Sequence, residues 1–224
     1  GMKPYETPRA LTLEEVKKIP ELYASGAANA LKAGFDGVEI HGANGYLIDQ
    51  FLRDGVNKRI DAYGGNISNR SRLLIEVIEA VIKVCGKDRV GLRLSPSGAF
   101  GGMSDSNPLE HFSSIVEKVS DTGISYLHVV EGDKADERHG ATLVDSSALR
   151  KLFKGTFLSC GGYTKDTAEK ALADNKADLI VFGKLFLANP DLPKRFEGNK
   201  PLNAWDEKTF YAGGEKGYID YPSL

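Results

Sequence analysis

Two periodicities alternate along the chain. Short apolar runs at 38–40, 89–94, 124–130, 156–159 and 177–182 read as strands buried on both faces, which show near-continuous hydrophobicity rather than alternation. Between them, apolar residues return every three or four positions, the mark of helices with one buried stripe. Residues 1–11 read as loop. Thr12 and Glu15 form a capping box that opens the first helix, with Val16, Ile19, Leu22, Tyr23, Ala27, Ala30 and Leu31 on its apolar face. Pro20 falls inside that pattern, so a kink or restart is expected there. After a long charged and glycine-containing loop at 53–67, Ser68 or Asn69 is expected to cap a second helix. Its buried face is Leu73, Leu74, Val77, Ile78, Val81, Ile82 and Cys85, and Gly86 is its C-cap. Residues 98–102 read as a flexible glycine loop. Ser106 and Pro108 open a third helix carrying Leu109, Phe112, Ile115, Val116 and Val119, which Gly123 ends.

Further on, a polar loop at 132–140 leads to a short helix at 146–153. Thr164 caps a helix through Asp174, and a short helix at 185–188 precedes the segment 190–196. Trp205, Phe210 and Tyr211 are expected to pin the remaining tail by their rings. Strand and helix alternate throughout, which argues for parallel strands joined by right-handed crossovers. The fold class is therefore α/β of the parallel (β/α) barrel type, with residues 1–224 as a single domain. Five βα units are visible where a closed barrel needs eight.

Composition narrows the function classes. With 41% hydrophobic and 27% charged residues, the chain is long enough to bury a sizeable core. A net charge of −2 leaves no basic footprint for nucleic acid or an anionic membrane surface. No apolar run approaches the roughly 18 residues a spanning helix needs, and no signal peptide opens the chain, so the expected compartment is cytoplasmic. Gly1 before Met2 reads as a residue left by tag removal. Cys85 and Cys160 lie far apart with no metal-ligand spacing, so both are expected to be small buried residues in a reducing compartment and no metal site is expected.

Candidate chemistry gathers where strands end. The run at 38–40 leads into HGANGY, placing His41, Asn44 and Tyr46 at the carboxyl end of a parallel strand, where α/β proteins bind ligands. An isolated histidine is more often a satisfied core residue, and an asparagine there serves equally as a turn former. Arg93 leaves the end of the next strand. Gly161 and Gly162, between a strand and a helix, offer bare backbone N–H groups to an anion, and Gly183 with Lys184 repeats the arrangement one unit later. Glycines at such positions also serve as plain tight-turn residues.

The residues around these ends are not isolated. The stretch at 34–52 resembles the Old Yellow Enzyme family of flavin-dependent ene-reductases, which includes the oxophytodienoate and N-ethylmaleimide reductases. The resemblance continues through NKRIDAYGGNISNRSR at 57–72, GLRLSP at 91–96 and GYIDYP at 217–222, in the family's order. It implies the family barrel from its third helix onward, without the first three strands. By resemblance, FMN is the cofactor and NADH or NADPH the reductant, and Gly161, Gly162, Gly183 and Lys184 hold the FMN phosphate. The family usually has arginine where this chain has Lys184. Arg93 would face the N1/C2-carbonyl side of the flavin. His41 and Asn44 would bind the carbonyl oxygen of an α,β-unsaturated substrate, Tyr46 would act as the general acid, and Tyr218 would border the substrate pocket. Asp61, Tyr63, Asn69 and Arg70 are assigned to loop and helix-cap structure.

The function expected from the resemblance is NAD(P)H-dependent reduction of the C=C bond of an enone or a related electrophilic alkene. The rival expectation is a catalytically incompetent barrel fragment that binds FMN weakly or not at all. Either way, self-association or a partner supplying the missing strands is expected, because open sheet edges leave backbone groups unpaired.

Overall fold

A computed structural model describes residues 6–132, 141–211 and 213–224. Its contacts gather into two compact units, Gly1–Phe157 and Leu158–Leu224. The first unit contains α1 (Leu13–Lys32), β1 (Val38–Gly42), α2 (Leu47–Leu52), α3 (Ile67–Arg70), α4 (Arg72–Cys85), β2 (Val90–Leu94), α5 (Pro108–Thr122), β3 (Tyr126–Val130) and α6 (Ser146–Arg150). β4 (Thr156–Cys160) begins at the end of this unit. The second unit goes on through α7 (Lys165–Ala173), β5 (Leu179–Val181), α8 (Lys184–Ala188) and α9 (Leu192–Glu197).

Each described strand pairing is parallel. β1 pairs with β2 and β2 with β3, in the register His41, Arg93, His128. β4 pairs with β5, Cys160 beside Val181. The alternation of strand and helix expected from the sequence is the observed architecture.

The core of the first unit lies on one side of β1–β3. Ile40, Leu92, Leu94, Leu127 and Val129 turn toward the helices and are buried. α1 packs on α4 through Val16, Ile19 and Ala27 on one side and the Leu73, Leu74, Val77, Ile78, Val81 face on the other. Each large apolar side chain buried there contributes about 1.5–3 kcal/mol. The alternate strand positions, Glu39, His41, Arg93, Tyr126 and His128, point away from the helices and carry the polar chemistry.

Several local expectations need correction. α1 runs unbroken through Pro20, because burial of its flanking apolar stripe on α4 outweighs the one hydrogen bond that proline removes. Its capping box forms as expected, Thr12 accepting from Glu15 N–H and Glu15 from Thr12 N–H. The helix at 67 is capped by Asn66, not Ser68 or Asn69. The Asn66 side chain accepts from Asn69 N–H at 3.0 Å, and Ser71 separates this single turn from α4. α2 had not been expected at all, since its six residues are too few to show a helical period. Leu109 is exposed rather than on the buried face of α5. The C-caps Gly86 and Gly123 stand where expected.

Of the three rings expected to pin the tail, Phe210 is half-buried, whereas Tyr211 is 99% exposed and Trp205 40%. Polar contacts also hold the tail. Arg195 donates to the carbonyls of Pro201 (2.6 Å) and Pro222 (2.8 Å), and Asn203 donates to those of Ala188 (2.8 Å) and Pro222 (2.9 Å). The polar loop at 132–140 lies, beyond Gly132, outside the described residues.

Candidate active site

The turn after β1 is built by its own geometry and by buried polar support. Asn44 sits in the left-handed region at φ 56, which asparagine tolerates better than most residues. At Gly45, with φ 75, an added Cβ would meet Phe100 O at 2.7 Å, so no other residue fits. Three groups pin this turn to the end of β2. The Asn44 N–H donates to Ser95 Oγ (2.8 Å), the Gly45 N–H donates to Asp49 Oδ2 (2.9 Å), and Asp49 Oδ1 accepts from Arg53 Nε (2.8 Å). Arg53 also donates to the carbonyls of Pro96, at 2.9 Å, and Ser95. The Asp49 and Arg53 side chains are 0% and 2% exposed. This support was not among the expected site residues. Its one signal in the sequence is an Asp and an Arg four residues apart, which face each other on a helix.

On this frame four of the expected site residues come together. His41 and Arg93 occupy matched positions on adjacent parallel strands, about 4.8 Å apart between strands. The rings of His41 and Tyr46 lie 5.1 Å apart at 50°. Asn44 is half-buried and Tyr46 mostly exposed. No described residue hydrogen-bonds the side chains of His41, Asn44, Tyr46 or Arg93, and Arg93 Nε is buried without a partner. Buried donors in native proteins are nearly always paired, so an unpaired one calls for an acceptor from outside the chain.

Electrostatics sets the protonation of the row. Burial, followed by the Arg93 charge, holds the His41 imidazole below its usual value, against the opposing charges of Glu39 and Asp49. His41 is therefore neutral at pH 7 and able to donate one hydrogen bond without carrying a charge.

The glycine clusters belong to the second unit. Gly161 and Gly162 directly follow β4, at φ 152 and 63. Thr164 caps α7 in a box with Thr167. A Cβ at Gly162 or Gly183 would meet nothing within 4 Å, so both backbones face open space. Lys184 opens α8, but its Nζ is engaged by Glu207 Oε1 at 2.8 Å, both side chains being well exposed. Tyr218 is exposed in the tail, its N–H bonded to Glu215 O. Cys85 is buried and Cys160 half-buried, and neither is in a disulfide.

The residues assigned to scaffold behave as scaffold. Asp61 accepts from Arg59 and from Tyr63 N–H, Tyr63 OH donates to Glu76, and buried Arg70 donates to Leu52 O. Among the described residues Asp54, Asp105 and His111 bring one metal-ligand-type atom each within 4.8 Å of one another. The Arg70 guanidinium, 3.0 Å from His111 Nδ1, already supplies positive charge there. No described helix is long and apolar enough to cross a membrane.

Parallel strands alternating with helices, with unpaired donors at strand carboxyl ends, define an α/β protein. The chain belongs to the NADH:flavin oxidoreductase / NADH oxidase family, whose description matches residues 2–203, and within it to the Old Yellow Enzyme group. It is 46% identical over 227 residues to 12-oxophytodienoate reductase 2 of Arabidopsis thaliana, covering 98% of this chain and 59% of that protein. It is 47% identical over 224 residues to putative 12-oxophytodienoate reductase 3 of Oryza sativa subsp. japonica, covering 98% and 58%. Among solved structures, morphinone reductase superposes with a TM-score of 0.94 at 42% identity, over 100% of this chain and 60% of that one. The old yellow enzyme homologue of Zymomonas mobilis gives 0.94 at 44%, over 100% and 63%. The chain thus spans about three fifths of the length of the relatives it matches. FMN is the cofactor of this family, and one solved structure similar to this chain is of morphinone reductase in complex with tetrahydroNAD.

Proposed function

We propose that this chain is the part of an FMN-dependent NAD(P)H oxidoreductase that binds and orients an α,β-unsaturated carbonyl substrate. One observation carries the reading: His41, Asn44, Tyr46 and Arg93 meet at adjacent strand ends with their polar side-chain groups unpaired. The orphaned Arg93 Nε suits the electron-rich pyrimidine side of a flavin, and a charge-tuning group is what that end of a flavin requires. Gly161, Gly162, Gly183 and Lys184 would hold its phosphate. Residues 1–224 are read as one flavin-binding domain.

Bound FMN, reduced by NAD(P)H, supplies hydride to the β-carbon of the substrate. The protein's part is electrostatic and positional. His41 and Asn44 donate to the carbonyl oxygen, where negative charge grows as the double bond is attacked. Losing one such donor typically costs about 2.7–4 kcal/mol of barrier. Tyr46, beside His41, delivers its phenolic proton to the α-carbon as general acid. Tyr218 would border the substrate. The absence of a disulfide between Cys85 and Cys160 suits a cytoplasmic setting.

A second reading has its own support. About two fifths of the relatives' length has no counterpart in this chain, β1 has β2 as its one neighbour among the described strands, and Lys184 is occupied by Glu207. On this reading the chain alone grips FMN weakly, turns over slowly, and associates with itself or with a polypeptide that pairs with β1. A misplacement of about 1 Å at the reacting centre can cost about 100-fold in rate.

Fluorescence titration with FMN, followed by NADPH-dependent reduction of cyclohexenone and sedimentation at tens of micromolar, separates the two. Submicromolar affinity with steady turnover, abolished by His41→Ala or Asn44→Ala, supports the first reading. Weak binding with negligible turnover in a self-associated species supports the second. A monomer that binds no FMN even beside the remaining two fifths of a relative overturns both.

A further inference from the structure

The strand positions facing away from the helices hold three basic side chains in register, His41, Arg93 and His128, and beneath them a single acid, Glu39. Glu39 Oε2 lies 3.0 Å from His128 Nδ1, across two strands. From β3, the Tyr126 ring lies over Gly91 of β2, on the same side of the sheet as that carboxylate. Tyr126 reaches β1 because β2 has Gly91 between them, where an added Cβ would come within 2.1 Å of the tyrosine ring. Gly91 thus leaves the room in which a β3 ring extends across β2 beside Glu39.

We propose that Glu39 is the positioning residue of the basic row. Bonded to His128, it supplies the counter-charge that fixes His128 beside Arg93 and limits the positive potential Arg93 presents to the flavin. The proposal rests on the reading of Arg93 as the flavin-facing cation.

The charges are consistent with this role. Burial pushes the Glu39 carboxyl up, but bonds from His128 and Tyr126 and the charges of His128 and Arg93 bring it below its ordinary value, so it is anionic at neutral pH. Tyr126 is pushed up to about 12 by burial and by Glu39, so it stays a donor. A cavity of about 420 Å³ at the amino ends of the strands, lined by Asp36, Glu39, Asp88, Arg89 and Tyr126, opens the carboxylate to water from below. Glu39 also raises the His41 imidazole, against the lowering by burial, Arg93 and His128 and alongside Asp49.

Two readouts need no flavin. In the wild-type chain, nitrogen-15 NMR of the histidines is expected to show Nδ1 of His128 protonated and donating to Glu39. A bare Nδ1 overturns the proposal, whether or not any variant folds. In Glu39→Gln the His41 titration is expected to move further down, and in Glu39→Asp, which keeps the charge, to stay near wild type. An unmoved His41 in Glu39→Gln overturns it. With FMN bound, Glu39→Gln is expected to raise the affinity for reduced relative to oxidised FMN about tenfold, since one negative charge leaves the neighbourhood. A merely structural role would weaken both redox states alike, and that result also overturns the proposal. Failure of FMN to bind at all counts against the flavin reading of Arg93 and leaves the histidine readouts to decide the role of Glu39.

Discussion

The hydroxyl of Ser95, just past β2, accepts the backbone N–H of Asn44, just past β1, at 2.8 Å. Fifty-one residues separate the two in the chain, yet this bond directly joins the turn that carries the substrate-binding candidates to the strand that carries Arg93. Ser95 also stands 3.4 Å from Asp49 Oδ2, so the hydroxyl joins a backbone donor to a buried carboxylate.

Ser95→Ala removes that acceptor and leaves the Asn44 N–H without its partner. The expected loss is about 1–3 kcal/mol of stability, the cost of an unsatisfied buried donor. Denaturant unfolding of the two proteins measures it. A change below about 0.3 kcal/mol would mean that the turn is held without this bond.

Asp49 and Arg53 form a buried pair with almost no solvent contact. Asp49→Ala is expected to destabilise the chain by about 3–5 kcal/mol, because it strands the Arg53 charge. The double variant Asp49→Leu/Arg53→Met removes both charges and should cost less than Asp49→Ala alone. Urea midpoints in the order wild type, double, single would bear this out, and the reverse order of the two variants would refute it.

His41 should make stability depend on pH in one direction. Its folded pKa lies below the usual value of 6.5, so the unfolded chain takes up the proton first as pH falls. Stability is unaffected above that value and declines as pH drops through the window between the unfolded and the folded pKa. The decline should be absent in His41→Asn. Parallel wild-type and variant curves between pH 7 and 5 would contradict it.

Glu207 holds the ammonium of Lys184, the group proposed to meet the FMN phosphate. Glu207→Gln is expected to tighten FMN binding several-fold, within the about 1 kcal/mol an exposed ion pair is worth. Lys184→Arg should tighten it as well, since a guanidinium offers a bidentate fork. Titration of both variants with FMN, and with inorganic phosphate as competitor, tests this. Unchanged affinity in Glu207→Gln would show that the pair does not guard the phosphate position.

The sequence by itself determined the parallel α/β plan, five strands and the longer helices between them, because a strand buried on both faces and a one-sided helix leave different periods. It also determined which strand ends carry His41, Asn44, Tyr46, Arg93 and the glycine pairs, since glycine and asparagine mark the turns that follow strands. Only the tertiary structure decided what holds those ends in place. Asp49, Arg53, Ser95 and the bridge from Glu39 to His128 act between segments far apart in the chain, and hydrogen bonds made across strands leave no local period. The continuity of α1 through Pro20 and the exposure of Tyr211 were settled the same way. Proline's local cost is weighed against burial on α4, and an aromatic ring packs only where a partner surface exists. Neither can be read from neighbours in sequence.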